Sequence, residues 1–274
     1  MEKKSWIGNY IGEALGVFLI IYFGCGVVIV AIFLGQVPGL VDAGIGWGLA
    51  VALAVYAGAA LSGAHFNPGV TIALALRRGF PWSQVIPYII SQIIGGFLGA
   101  AALFGMYSGI FYDFVAQKGL TIGQPGSQLA AAVFVPYTPH PAIFGTDAAA
   151  FAKVTLLQGA WGEFISTALL MMFILVLLEK RGTTTPVPWY FPVGLGLAVC
   201  MLVFAEAPIS MISMNAARDL GPRLFTLLLG FGRIAFPGPR GDWWVTTIVP
   251  ALGAIAGAYF FDFVLLPRFP KAEE

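Results

Sequence analysis

Long apolar runs separated by short polar knots dominate the chain. Six runs lie near residues 7–34, 41–61, 84–107, 156–178, 189–207 and 243–266, each with few or no charges. A helix needs about 20 mostly apolar residues to cross the hydrocarbon core of a bilayer, so each run predicts one span. Two further apolar segments, 70–76 and 220–229, are too short to cross. The first follows His65-Phe66-Asn67-Pro68-Gly69 and the second follows Met214-Asn215-Ala216-Ala217-Arg218. Asn is a strong N-cap because its side-chain oxygen accepts from the free N–H groups of a first helical turn, and Pro suits the first helical position. Each short segment therefore predicts a half-helix that starts abruptly inside the membrane. The expected fold is all-α: six transmembrane helices and two re-entrant half-helices.

The pattern repeats. Gly12-Glu13 in the first span returns as Gly162-Glu163 in the fourth, 150 residues on, and Asn67 returns as Asn215, 148 residues on. Each half reads span, span, half-helix, span. Three spans per half place the halves in opposite orientations, an inverted repeat in which short interrupted segments at matching positions mark the permeation site. The expected organisation is one transmembrane channel domain over residues 1–274. Its repeats cover about 5–110 and 154–267, joined by an external loop at about 111–153. The joining stretch, 108–153, is rich in Gly, Pro and polar residues. Gly8, Gly12 and Gly16, Gly95 and Gly99, and Gly253 and Gly257 recur at four-residue spacing, which lets membrane helices approach closely.

Composition narrows the class. The chain is 59% hydrophobic and 10% charged, with mean hydropathy +0.88; soluble domains carry roughly 25% charged residues. A chain of 274 residues cannot hide that much apolar surface from water in its own core. The formal net charge of +1 gives no reason to expect nucleic acid. Cys25 and Cys200 sit in apolar runs and read as small core residues. There is no His/Cys set with metal-ligand spacing, no nucleophile–base pair and no phosphate loop. Neither an enzyme nor a cofactor is expected.

The basic start followed by apolar residues resembles a signal peptide, but the uncharged stretch from Ala14 to Val41 is too long for one and predicts a span. With the N-terminus inside, the inner side holds eight Lys and Arg: Lys3, Lys4, Arg77, Arg78, Lys180, Arg181, Arg268 and Lys271. The outer side holds six: Lys118, Lys153, Arg218, Arg223, Arg233 and Arg240. This bias predicts cytoplasmic termini.

The segments 62–66 and 209–214 must run extended at membrane depth, where irregular backbone is tolerated only against protein or a water-filled path. Their carbonyls would form a ladder of acceptors facing an apolar wall. Two half-helix N-termini would meet near the midplane, and their partial positive charges oppose cations and protons. Asn67 and Asn215 would offer amides to a passing hydroxyl. Arg218, three residues into the second half-helix, is costly in an apolar setting and marks a functional position. Glu13 and Glu163 have two readings: acceptors for the N–H groups of the extended segments, or proton-coupling groups. His65 reads as a loop-shaping or pore-lining group, His140 as a solvated residue of the outer loop, and Arg223 as a surface charge near the helix end.

Two stretches carry a family resemblance. Ser62-Gly63-Ala64-His65-Phe66-Asn67-Pro68-Gly69-Val70-Thr71 and Met214-Asn215-Ala216-Ala217-Arg218-Asp219-Leu220-Gly221-Pro222 resemble the signature loops of the aquaporin, or major intrinsic protein, family. Asp219 after the Arg, and Trp47 in the second span, resemble its aquaglyceroporin (glycerol facilitator-like) branch. The resemblance implies a homotetramer with one pore per subunit. It implies an outer selectivity filter of Trp47, Val203, Ile212 and Arg218, and pore-lining carbonyls at Gly63, Ala64, His65, Met211, Ile212 and Ser213.

The chain departs from the family pattern in three places. Asn-Pro-Ala is replaced by Asn67-Pro68-Gly69 and by Asn215-Ala216-Ala217. Ala216 is a good helix former, so the half-helix should survive without its Pro. Glycerol channels place Gly and Phe where Val203 and Ile212 stand, and some bacterial relatives are linked to lactic acid. The expected activity is passive passage of small neutral solutes: glycerol and other polyols, protonated lactic acid, and some water. A bacterial inner membrane is the expected location. The alternative is a proton-coupled secondary transporter of a small monocarboxylate.

Overall fold

The computed structural model describes residues 6–36, 39–181 and 190–270. Lys3, Lys4 and Lys271, which weigh in the orientation argument, lie outside the described residues, as does Trp189 at the start of the fifth expected span.

Among the described residues, six helices are long and apolar enough to cross a membrane. They are α1 (Ile7–Leu34), α2 (Leu40–Ser62), α4 (Trp82–Gln117), α8 (Leu156–Leu178), α9 (Tyr190–Ser210) and α11 (Trp243–Phe260). Two shorter helices, α3 (Pro68–Arg77) and α10 (Ala216–Thr226), follow the second and fifth spans. Three one-turn helices, α5 (Gln128–Ala131), α6 (Pro141–Phe144) and α7 (Ala148–Lys153), lie in the connection between the halves. Only a third to a half of each long helix's most apolar window is buried (33–50%). Leu49, Ile86, Leu157, Trp161 and Leu197 point outward and are exposed. In water such faces would drive aggregation; against lipid tails they are matched.

Each half packs the same way. The helix α1 lies against α2 and α4, and α8 lies against α9 and α11. Small residues set these approaches: a Cβ on Gly95 would come within 2.1 Å of the Ala14 carbonyl oxygen, and one on Gly257 within 2.1 Å of the Ala168 carbonyl oxygen. Gly8 has open space around it, so the first of the expected glycine rows is not wholly a contact row in this chain. The halves join where α2 meets α9 and where each half-helix crosses over, α3 packing on α11 and α10 on α4.

The connection between halves differs from the expected solvated loop. The third span continues well past residue 107, to Gln117, because Phe111 and Phe114 keep packing on the body. At about 1.5 Å per residue this 36-residue helix outreaches a bilayer core of about 30 Å. Beyond it, Ala130 to Val135 and Tyr137 are buried, so the connection folds inward over the helices. Its run of Ala, Val and Phe was the sequence signal for this, outweighed by the flanking Gly and Pro. His140, expected to be solvated, is half-buried: its Nδ1 accepts the Ala142 N–H at 3.2 Å and caps α6, while its own N–H reaches the Pro208 carbonyl at 3.2 Å.

Candidate functional site: a path beside two half-helices

The segment before each half-helix holds an unusual backbone. Gly63, Ala64 and Phe66 in the first, and Met211, Ile212 and Met214 in the second, all have positive φ between 42° and 85°. Five of these residues carry side chains that disfavour the left-handed region, at roughly 1–2 kcal/mol each, so something must hold them. Glu13 does so in the first half, its two carboxylate oxygens accepting from His65 N–H at 3.0 Å and Phe66 N–H at 2.7 Å. Glu163 does so in the second, accepting from Ser213 N–H at 2.6 Å and Met214 N–H at 2.9 Å. Charge-assisted bonds of this kind are about twice as strong as neutral ones. Gln92, which sequence reasoning missed, donates to Glu13 at 2.7 Å and to the Thr71 hydroxyl at 3.0 Å. His65 Nδ1 lies 3.2 Å from that hydroxyl, and its ring packs on Phe80 and Tyr88.

The two Asn residues cap and cross-link. Asn67 Oδ1 accepts the Gly69 N–H at 2.9 Å, and Asn215 Oδ1 accepts those of Ala217 at 2.9 Å and Arg218 at 3.2 Å. The Asn67 amide donates to the Met214 carbonyl and the Asn215 amide to the Phe66 carbonyl, each at 2.7 Å. Each amide group has two N–H donors, so one remains after the cross-link. The half-helix tips therefore meet, as their capping residues require.

Beside them runs a cavity of about 140 Å³. Gly63, Ala64, His65, Ile212 and Ser213 line one side together with Asn67 and Asn215. Val51, Val55, Leu170, Ile174, Leu195 and Val199 supply the apolar side. Met211 is not among the lining residues: its N–H still closes the last turn of α9 onto the Ala207 carbonyl, and its sulphur faces the Tyr137 N–H at 3.4 Å. Trp47, Val203, Ile212 and Arg218 all reach the same cavity. The Arg218 guanidinium lies 4.6 Å from the centre of the Trp47 ring, a cation–π distance, and donates to the Phe134 carbonyl at 3.1 Å. Trp47 fits because Gly24 on α1 leaves the space its ring occupies.

Arg223 is not the expected surface charge. It is 1% exposed, ion-paired to Asp219 at 2.7 Å, and donates to the Ala235 and Pro136 carbonyls at 2.5 and 3.2 Å. Thr246 and Thr247 complete the shell around Asp219 with bonds of 2.8 and 2.5 Å. The misreading came from treating a charge near a helix end as solvated; Asp219 four residues earlier was the available signal. Tyr137, in the connection, donates to the Ile234 carbonyl at 3.0 Å, and burial pushes its phenol up against the opposing charge of Arg223.

Six apolar spans, twin half-helices capped tip to tip and a narrow amphipathic cavity define a transmembrane channel. The major intrinsic protein model matches residues 1–261, and the chain belongs to that family. It is 40% identical over 260 residues to the glycerol uptake facilitator protein of Haemophilus influenzae, covering 94% of each chain. It is 36% identical over 260 residues to the propanediol uptake facilitator PduF of Salmonella typhimurium, again covering 94% of each. Its fold matches the X-ray structure of the aquaglyceroporin from Plasmodium falciparum with a TM-score of 0.82 at 24% identity, over 96% of this chain and 98% of that one. Within the family it falls in the aquaglyceroporin branch.

Proposed function

We propose that the chain is a passive channel for small uncharged solutes: glycerol-like polyols, protonated lactic acid, and some water. The observation that carries this reading is the make-up of the cavity wall around Arg218. One cation, Arg218, is stacked on one aromatic ring, Trp47, and faces two branched aliphatics, Val203 and Ile212. A solute with oxygens on one edge and carbon on the other satisfies both walls. The names of relatives agree in kind, since one is called a facilitator of glycerol uptake and another of propanediol uptake.

Protonated lactic acid has the same two-edged shape, with a methyl for Val203 and Ile212 and oxygens for Arg218. Its anion would have to shed water in an apolar path, at high cost. Glu13 and Glu163 are occupied by backbone N–H groups, which supports a holding role over proton coupling. The halves are read as an inverted repeat over about 5–110 and 154–267, and the exposed apolar faces are read as lipid and subunit contacts of a homotetramer. Both termini are assigned to the cytoplasm, in a bacterial inner membrane.

The test is reconstitution in vesicles, with glycerol, water and lactate fluxes compared across pH. The reading expects glycerol flux independent of an uncoupler, and lactate flux that follows the protonated fraction. Uptake abolished by an uncoupler would overturn it in favour of coupled transport.

A further inference from the structure

Glu206, on α9, has no counterpart in the first half. Ser62 and Ser210 match, 148 residues apart, each closing the span before a segment with positive-φ backbone. In the first half, Ser62 Oγ donates to the Gly58 carbonyl at 3.4 Å and accepts the Ala64 N–H at 3.1 Å. The residue matching Gly58 is Glu206, also 148 on. There, Ser210 Oγ lies 2.6 Å from Glu163 Oε1 and 2.6 Å from Glu206 Oε1, and accepts the Ile212 N–H at 3.3 Å. Gly162 makes room for this side chain: a Cβ on it would stand 2.7 Å from Glu206 Oε1.

Hydrogen counting then fixes a proton. A serine hydroxyl has one hydrogen to donate and can serve one carboxylate. Two carboxyl oxygens held at hydrogen-bond distance from the same hydroxyl require the second carboxyl to be the donor, so one of the pair is a neutral acid. Glu163 faces two backbone N–H donors, which favour its charged form. Glu206 faces a single backbone N–H, that of Ser210, where Glu163 faces two, and its buried Oε2 has no partner among the described residues.

We infer that Glu206 is kept as a neutral carboxylic acid that donates to Ser210, and that this proton positions the outer wall of the pore. Ser210 passes the constraint on directly, because it holds the Ile212 N–H and the carboxylate that holds Ser213 and Met214. Glu206 is a positioning residue and does not line the pore cavity. It lines a separate surface cavity of about 530 Å³ with Lys153, Gln158 and Trp161. The charged groups around it are Glu163 on α8, Lys153 at that cavity, and, on α10, Asp219, which is paired with Arg223. The other helix packed on α9 is α2, whose titratable residues are Asp42 and Tyr56. Removing the shared proton leaves two buried carboxylates with one hydroxyl between them, and the wall carrying Ile212 loses its anchor.

The experiment compares wild type, Glu206→Gln and Glu206→Leu in vesicles from about pH 6 to about pH 10, a window wide enough to take a buried carboxylic acid through the loss of its proton. Glycerol and water flux of the wild type should fall severalfold toward the alkaline end. Glu206→Gln, whose amide donates to Ser210 at every pH, should stay flat and near the wild type's high value. Glu206→Leu should be low and flat. The infrared difference between wild type and Glu206→Gln at neutral pH should show a protonated-carboxyl band that disappears at alkaline pH. Coincident profiles for wild type and Glu206→Gln, or no such band, would overturn the inference. The infrared signal does not depend on which solute passes, so it remains decisive if glycerol does not.

Discussion

The side-chain amide of Asn67 reaches across 147 positions of sequence to donate to the backbone carbonyl of Met214 at 2.7 Å. Asn215 returns the contact to Phe66 at the same distance. One side chain thus starts a helix in its own half and latches the strained segment of the other. Asn67→Ala removes the cap and leaves the Met214 carbonyl without this donor. The expected loss is roughly 2–4 kcal/mol, a cap of about 1 plus an unsatisfied buried group of about 1–3. Thermal unfolding in detergent measures it. The double variant with Asn215→Ala should lose less than the sum of the two single losses, because the residues share one contact region. Strict additivity would show that the latches act independently.

How far the chain could be read in advance follows from how local each signal is. Spans such as α8 were legible because twenty apolar residues in a row have one cheap environment, and the half-helices because Asn67 and Asn215 announce their starts. Glu13 and Glu163 were legible as a pair because the repeat doubled the signal. The inward fold of the connection was not, since the Phe134 carbonyl matters only through Arg218, which lies 84 residues away. Glu206 was overlooked because it breaks the repeat. A carboxylate inside an apolar span, four residues before Ser210, was nonetheless a visible anomaly.

Arg218 carries the positive charge of the proposed filter. Arg218→Ala opens the space over Trp47 and removes a donor from the Phe134 carbonyl. Small cations, excluded by the wild type, should then pass, and larger polyols should gain flux relative to glycerol. Vesicle membrane potential under a cation gradient reads the first effect, and competitive swelling rates the second. Unchanged selectivity in both would remove Arg218 from the filter.

Val203 is buried beside the cavity and faces it from α9. Val203→Phe adds a ring where a branched aliphatic now sits. Overpacking of this kind typically costs 1–3 kcal/mol of strain or displaces the ring into free space, here the path itself. Glycerol flux should fall several times more than water flux, because the wider solute needs the lost width. Paired stopped-flow measurements on the same vesicles decide this. Equal losses would mean that Val203 does not border the narrowest point.

Glu13 distinguishes a holding role from proton coupling. Its oxygens accept from His65, Phe66 and Gln92. Glu13→Gln keeps the shape but turns one acceptor into an NH₂ that faces an N–H donor. The expected cost is about 1–3 kcal/mol of stability, seen as a lower yield of folded protein, with flux per folded channel little changed. Normal yield with abolished flux would favour coupling.

Arg223 and Asp219 form a buried pair, 2% and 0% exposed at their side chains. Breaking such a pair from one side leaves an uncompensated charge and typically costs 3–5 kcal/mol, whereas replacing both partners with apolar groups is often close to neutral. Arg223→Met should therefore be severely destabilising. It strands Asp219 and also frees two carbonyls, that of Pro136, which ties the connection between the halves to α10, and that of Ala235, which ties down the turn following α10. Asp219→Leu in the same chain should recover part of the loss by removing the stranded charge. The recovery should stop short of wild type, because those two carbonyls and the Thr247 hydroxyl would lack their partners. Unfolding midpoints of the two single variants and the double variant measure the coupling. A double variant no more stable than Arg223→Met alone would mean that the guanidinium's bonds to the connection, and not its pairing with Asp219, hold this corner of the channel.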